Sequence, residues 1–252
     1  MNTRKSFLED LNGAQRQAVE CIEGPVLIVA GPGSGKTRVI THRIAYLVRE
    51  IGISPAKICS VTFTNRAARE MRNRLQRLLG PRAQSITAGT FHAFCSGILR
   101  REGSAIGIPE HFVIFDDGDQ IDVIKSAMER TGMDPKRFPP RSLLSAISRA
   151  KSQLISPQQY LLSAGGYYDQ QVQSVYTEYQ VLLARNHALD FDDLLSKTVE
   201  LFHESPSVLD RYQERYLHLM VDEFQDTNLA QYKVANDLAG KYKNICVVGD
   251  PD

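Results

Sequence analysis

The sequence predicts an α/β fold: a parallel sheet with covered faces, its chain interrupted by a long helical insertion. Three observations carry this reading. As far as Gly103, short β-rich runs alternate with helical patterns, the order that parallel strands joined by crossover helices require. Residues 116–201 are helical in pattern, lack strand-like runs and are interrupted by Pro139-Pro140, Pro157 and Gly165-Gly166. β character then returns at 217–221 and 245–248.

Composition sets the outer limits. A chain of 252 residues, 42% hydrophobic and 23% charged, has the make-up of a soluble globular protein and can bury a substantial core. No apolar run approaches the ~20 residues of a bilayer span, and the polar stretch 1–10 has no signal-peptide core. A cytoplasmic protein without membrane contact is expected. Cys21, Cys59, Cys95 and Cys246 are scattered, without a CxxC pair, and read as buried reduced thiols rather than a disulfide framework or a zinc site.

Taken in order, the first element is a short helix from Ala14 to Cys21 with Asn12 as its cap. A β-branched run, Val26-Leu27-Ile28-Val29, then feeds Ala30-Gly31-Pro32-Gly33-Ser34-Gly35-Lys36-Thr37. A glycine-rich turn between strand and helix lets backbone N–H groups close around phosphate oxygens, and the helix N-terminus adds partial positive charge. Lys36 is a mobile point charge for β- and γ-phosphates, and the Thr37 hydroxyl suits Mg²⁺. This is the P-loop pattern with Ala30 at its first glycine position; Gly31, Gly33 and Gly35 keep the loop free to approach phosphate.

The helix continues through Ile40, Ile44, Leu47 and Val48 at a 3.6-residue period and ends near Gly52. A second strand is expected over 58–63 and a third over 85–90. Between them lie Arg66, Arg69, Arg72, Arg74, Arg77 and Arg82 against Glu70 alone, which fits either a phosphate-contacting face or a solvated helix face. Farther on, Asp116, Asp117, Asp119 and Asp122 crowd a helix start, where they oppose the positive end of the dipole. That accounts for them better than a metal site does.

The late strand His218-Leu219-Met220-Val221 runs straight into Asp222 and Glu223. At the carboxyl edge of a parallel sheet, two such acids face the P-loop. Phosphoryl transfer needs one acid to hold Mg²⁺ and another to orient or deprotonate the attacking water. Asp222 suits the first role and Glu223 the second.

Val221-Asp222-Glu223-Phe224-Gln225-Asp226-Thr227-Asn228 resembles motif II of the UvrD/Rep/PcrA-like DNA helicases of superfamily 1. Leu11-Asn12-Gly13-Ala14-Gln15 is similar to their Q motif, residues 30–38 to motif I, and Val61-Thr62-Phe63-Thr64-Asn65-Arg66-Ala67-Ala68 to motif Ia, with Arg66 where lysine is common. Gly89-Thr90-Phe91-His92 resembles motif Ib, and Leu189-Asp190-Phe191-Asp192-Asp193-Leu194-Leu195 the short motif that closes the helical insertion.

The resemblance implies a P-loop NTPase of RecA-like fold with an all-helical inserted subdomain. Residues 1–104 and 201–252 would form the ATP-binding domain and 105–200 the insertion. It implies ATP and Mg²⁺ as cofactors, with Thr37 and Asp222 on the metal and Gly31, Gly33, Ser34, Gly35 and Lys36 on the phosphates. Gln15 would read the adenine edge and Arg38 would lie beside base or ribose. Phe63, Thr64, Asn65, Thr90, His92 and Phe191 would line a track for single-stranded DNA, the phenylalanines stacking on bases of any sequence and Thr90 holding phosphate.

In the family, Val247-Val248-Gly249-Asp250-Pro251-Asp252 begins motif III, so the chain is expected to be truncated before that motif is complete. The implied whole is an ATP-dependent helicase or translocase. It would move 3′ to 5′ on single-stranded DNA and at single/double-strand junctions, in repair or replication, with a C-terminal RecA-like domain as partner. That second domain supplies an arginine finger contributing about 10³–10⁵ in rate, so the isolated chain is expected to bind Mg·ATP weakly and turn it over slowly. Two rivals stand beside this reading: a P-loop NTPase that does not act on DNA, and a catalytically incomplete DNA-binding or regulatory fragment.

Overall fold

The computed structural model describes residues 7–31, 33–163 and 165–250; Pro32, Pro251 and Asp252 of the P-loop and motif III expectations, and the first six residues, lie outside them. In chain order the elements are α1 (Gly13–Glu20), β1 (Val26–Val29), α2 (Lys36–Arg49), β2 (Ile58–Thr62), α3 (Asn65–Leu79), β3 (Thr87–Thr90) and α4 (Phe91–Glu102). There follow β4 (Val113–Ile114), α5 (Asp117–Arg130), α6 (Pro140–Ser152), α7 (Pro157–Ser163), α8 (Tyr167–Arg185), β5 (Ala188–Leu189) and α9 (Phe191–Glu204). The last four are α10 (Pro206–Arg215), β6 (His218–Val221), α11 (Leu229–Ala239) and β7 (Ile245–Gly249). Two compact units result, one running to Phe94 with Ser207–Thr227 and the chain from Ala235, the other comprising Cys95–Pro206 and Asn228–Val234.

The first unit is built on a five-stranded parallel sheet of order β1-β7-β6-β2-β3. The central strands β2 and β6 are buried at every residue, as expected of a parallel sheet covered on both faces. On one face Ile40, Ile44 and Leu47 of α2 and Met71 and Leu75 of α3 share a core with Met220, Cys246 and Val248. Their spacing is what turns the α3 arginines outward: Ala68, Met71, Leu75 and Leu79 form the buried stripe, each large apolar side chain contributing about 1.5–3 kcal/mol. At the edge, Val26 and Ile28 of β1 pack against this core, while Leu27 and Val29, alternating to the other face, are 67% and 56% exposed.

Helix α1 begins with the Asn12 cap closed into a capping box with Gln15. One expectation fails here: Cys21 is exposed, whereas Cys59, Cys95 and Cys246 are buried. Cys21 is the C-cap of α1 and lies beyond the helix's apolar stripe.

In the second unit, helices α5 to α9 enclose a core that includes Ile124, Met128, Leu143, Ile147, Val172, Val175 and Tyr179. Pro140 and Pro157 open α6 and α7, the position where a missing N–H costs nothing. Asp116 caps α5 and Asp119 closes its capping box, so the acidic cluster is a helix start. The insertion is not wholly helical, because β4 and β5 form a two-residue parallel ladder. Two residues are too few to display the period-2 alternation that marks a strand in sequence.

Among the described residues no helix is long and apolar enough to cross a membrane.

Candidate nucleotide site and strand-end surface

All strands of a parallel sheet end on the same edge, so the residues that follow β1, β2, β3, β6 and β7 share that edge. All five of these segments carry motifs singled out in the sequence, and the one after β7 completes the site with Asp250.

After β1, Gly33 and Gly35 take φ of 74° and 88°, left-handed values that a Cβ disfavours. Ser34 donates its N–H to the Gly31 carbonyl at 3.3 Å. These turns bring Lys36 and Thr37 to the start of α2. Lys36 Nζ donates to the Ala30 carbonyl at 3.0 Å and to Asp250 Oδ2 at 2.9 Å. The hydrogen bond to Asp250 holds the ammonium above its ordinary pKa.

Thr37 Oγ1 donates to Asp222 Oδ2 at 3.0 Å, so residues 185 positions apart meet on one rim. Asp222 is 1% exposed; burial pushes its carboxyl above the ordinary range, against the pull of the Thr37 hydroxyl. Glu223 adopts φ 52°, a left-handed conformation that costs a non-glycine residue about 1–3 kcal/mol. Its carboxylate accepts from Gln225 Nε2 at 2.8 Å, and Gln225 Oε1 accepts from the Asp250 N–H at 3.0 Å. A Cβ on Gly249 would lie 3.1 Å from that same Gln225 oxygen and displace it by a few tenths of an ångström.

Gly33, Gly35, Lys36, Thr37, Glu223 and Asp250 line a cleft of about 450 Å³ that also includes Arg38 and Arg74, and Asp222 lies buried behind Thr37. Three cations, Lys36, Arg38 and Arg74, face two carboxylates, Glu223 and Asp250, a balance suited to a polyanion. Arg38 donates to the Asp10 carbonyl at 2.9 Å. Gln15 sits beside the loop, donating Nε2 to the Ser34 carbonyl at 2.9 Å while its Oε1 accepts from the Asn12 N–H.

Sequence reasoning missed Arg74 and Asp250 as members of this cleft. Arg74, paired with Glu70 one turn away, was one of several arginines on its helix. Only the packing of α3 selects it. Among the described residues no group of three or more His, Cys, Asp or Glu side chains could hold a metal. Thr37 and Asp222 fit Mg²⁺ as hard oxygen donors, since that ion binds through one or two carboxylates and substrate phosphates rather than an all-protein cage.

Farther along the edge, β2 and β3 end in register at Thr62 and Thr90. Phe63 follows β2 and is 41% exposed. Thr64 caps α3, accepting from the Ala67 N–H at 3.1 Å, and Asn65 is exposed at the first helical position. Thr90 is buried, its hydroxyl accepting from the Ala93 N–H at 3.2 Å. His92 is half-buried, and burial lowers its pKa. These five residues are brought together. Phe191 belongs to the second unit, where it opens α9 and is 46% exposed.

A parallel sheet with a glycine-rich loop and an Asp-Glu pair on one rim defines a P-loop α/β protein of RecA-like fold. Residues 11–252 match the family described as UvrD/REP helicase N-terminal domain, and the chain belongs to that family. It is 50% identical over 246 residues to the ATP-dependent DNA helicase PcrA of Bacillus subtilis, covering 98% of this chain and 33% of that protein. It is 49% identical to the ATP-dependent DNA helicase PcrA of Staphylococcus aureus strain Mu50 and 48% to that of Staphylococcus epidermidis, each across 98% of this chain and 34% of the relative. The chain thus spans about a third of the length of these relatives.

Proposed function

We propose that this chain is the ATP-binding N-terminal part of an ATP-dependent DNA helicase that moves 3′ to 5′ on single-stranded DNA in repair or replication. In this reading the unit carrying the five-stranded sheet is the motor domain and the helical unit is its insertion. The protein works in the cytoplasm with a second RecA-like domain as partner. The observation that carries the proposal is the meeting of Lys36 and Thr37 with Asp222 and Glu223 on one rim. The rim continues to Phe63 and Thr90.

In this reading the N–H groups of the loop from Gly31 to Gly35 hold phosphate oxygens, and Lys36 exchanges Asp250 for the β- and γ-phosphates. Thr37 and Asp222 hold Mg²⁺, which when bound neutralises charge developing on the phosphates. Glu223 takes a proton from the attacking water or orients it. Gln15 reads adenine and Arg38 flanks base or ribose. Coupling to DNA has a short path: the Asp222 N–H donates to the Val61 carbonyl at 3.1 Å, and Phe63 lies two residues beyond Val61. A shift at the carboxylates therefore reaches the end of β2, where Phe63, Thr64 and Asn65 meet the nucleic acid, with Thr90 and His92 beside them and Phe191 as a further stacking ring.

The test pairs two titrations of the purified chain, a fluorescent ATP analogue with Mg²⁺ and a labelled oligo(dT). Lys36→Ala should abolish measurable nucleotide binding and leave oligo(dT) binding within about twofold, the lysine and the strand-end residues being separate contacts. Nucleotide binding without oligo(dT) binding would favour an NTPase that does not act on DNA. Oligo(dT) binding without nucleotide binding would favour a passive fragment. Steady-state hydrolysis by the chain alone should stay slow with or without DNA, and strong stimulation by single-stranded DNA would overturn the assigned need for the second domain.

A further inference from the structure

We propose that Lys151 is a positioning residue for Phe191, its buried ammonium locking the first turn of α9 so that the ring stands outward for stacking on a base. The inference rests on the DNA reading of Phe191 given above.

Phe191 is flanked in sequence by Asp190 and Asp192, awkward neighbours for a group meeting a polyanion. The structure resolves the conflict by turning the acids away. Asp190 is the N-cap of α9, its Oδ1 accepting from the Asp193 N–H at 2.8 Å, while Asp193 Oδ2 accepts from the Asp190 N–H at 3.3 Å. Both carboxylates are buried. Two buried negative charges need a cation, and α6 supplies it: Lys151 Nζ lies 2.6 Å from Asp190 Oδ2 and 2.8 Å from Asp193 Oδ1. Its side chain is 1% exposed.

Two residues of α8 complete the enclosure. Tyr179 donates its hydroxyl to Asp190 Oδ2 at 2.9 Å, and the Lys151 ammonium lies 5.0 Å from the centre of the Tyr179 ring. Gln180 Nε2 donates to Asp193 Oδ1 at 3.3 Å. Burial alone would lower the Lys151 pKa, but the attraction of Asp190 and Asp193 outweighs it and holds the group charged. Asp192 is half-buried and bonded to Ser148 of α6. The outcome is a helix start with Asp190 and Asp193 buried and Phe191 left 46% exposed. Replacing such a cation strands carboxylates that must then seek water, which would open the turn and bring negative charge beside the ring.

The experiment is a double-mutant cycle on oligo(dT) affinity in the whole chain, with Phe191→Ala, Lys151→Met and the pair. The sequence contains no tryptophan, so Phe191→Trp adds a lone fluorescent reporter at the ring position. Phe191→Ala should weaken binding about 5- to 100-fold, the range for loss of one stacked base. Lys151→Met should lose most of that factor alone and change nothing further once Phe191 is alanine. In the Phe191→Trp background, Lys151→Met should also alter acrylamide quenching of the free protein.

Should Lys151→Met lose its helical circular dichroism, Tyr179→Phe, which removes one bond to Asp190, decides instead with a loss of about two- to fivefold. A loss that persists in the Phe191→Ala background, or a folded variant with unchanged affinity, overturns the positioning role. If Phe191→Ala itself leaves affinity unchanged, the DNA reading of Phe191 fails and the positioning role fails with it. The quenching measurement then shows separately whether the lock exists.

Discussion

Asp250→Asn should tighten nucleotide binding by releasing Lys36. In the structure the ammonium is shared between the Ala30 carbonyl and Asp250, and the two side chains of the ion pair are only 11% and 14% exposed. A phosphate that recruits Lys36 has to replace Asp250. A hydrogen bond to a charged group contributes about 1.5–3 kcal/mol. The cleft is open to solvent, which screens the pair, so about 1.4 kcal/mol, or roughly tenfold in Kd, is the expected gain.

Asparagine keeps the shape of the side chain and leaves the backbone N–H free to donate to Gln225. Titration with a fluorescent ATP analogue at fixed ionic strength measures the change. The control is Lys36→Met with and without Asp250→Asn. If Asp250 acts through Lys36, the gain disappears without the lysine. If Asp250 merely repels phosphate, the gain remains. Unchanged or weaker binding by Asp250→Asn, or an equal gain in the Lys36→Met background, would refute the competition.

One further outcome concerns the same cleft and another the start of α9. Thr37→Ala removes the hydroxyl that meets Asp222 and should cost about tenfold in nucleotide affinity with Mg²⁺ but little in EDTA, the loss belonging to one metal-linked contact; equal losses in both buffers would count against the metal role. Burial pushes Asp192 up from its ordinary value to about 6. A raised carboxyl pKa favours the folded state at low pH, and that contribution is lost as pH rises from about 4 through about 6. Asp192→Asn should therefore raise the urea midpoint at pH 7.5 and lose its advantage by pH 4, whereas a pH-independent difference would contradict the shift.

Features governed by neighbours along the chain were legible without coordinates. The loop from Gly31 to Gly35 needs glycine φ values that its own residues permit, and Asn12 finds its capping partner three positions on. Asp116 does the same with Asp119. The 3.6-residue stripe of α2 marks Ile40, Ile44, Leu47 and Val48 as buried, though not Thr41 and Arg43, which are buried with them. Such patterns are visible because backbone dihedrals and side-chain periodicity are local properties. The two-residue strands β4 and β5 escaped because periodicity needs length, and Cys21 was misjudged because burial at a helix end depends on what lies beyond it.

Adjacency across the fold is another matter. That Thr37 meets Asp222 was expected from the two motifs, but that Asp250 rather than another acid holds Lys36, and that Arg74 alone among the α3 arginines lines the cleft, depend on strand order and helix packing. The same is true of Lys151, an ordinary cation in sequence that proves to be the buried counter-ion of the α9 cap. Sequence determined the chemistry available at each strand end, because each turn carries its own donors and acceptors. Tertiary structure decided which further groups join them in one cleft, because charge acts through distance in space and the fold brings together residues as many as 220 positions apart.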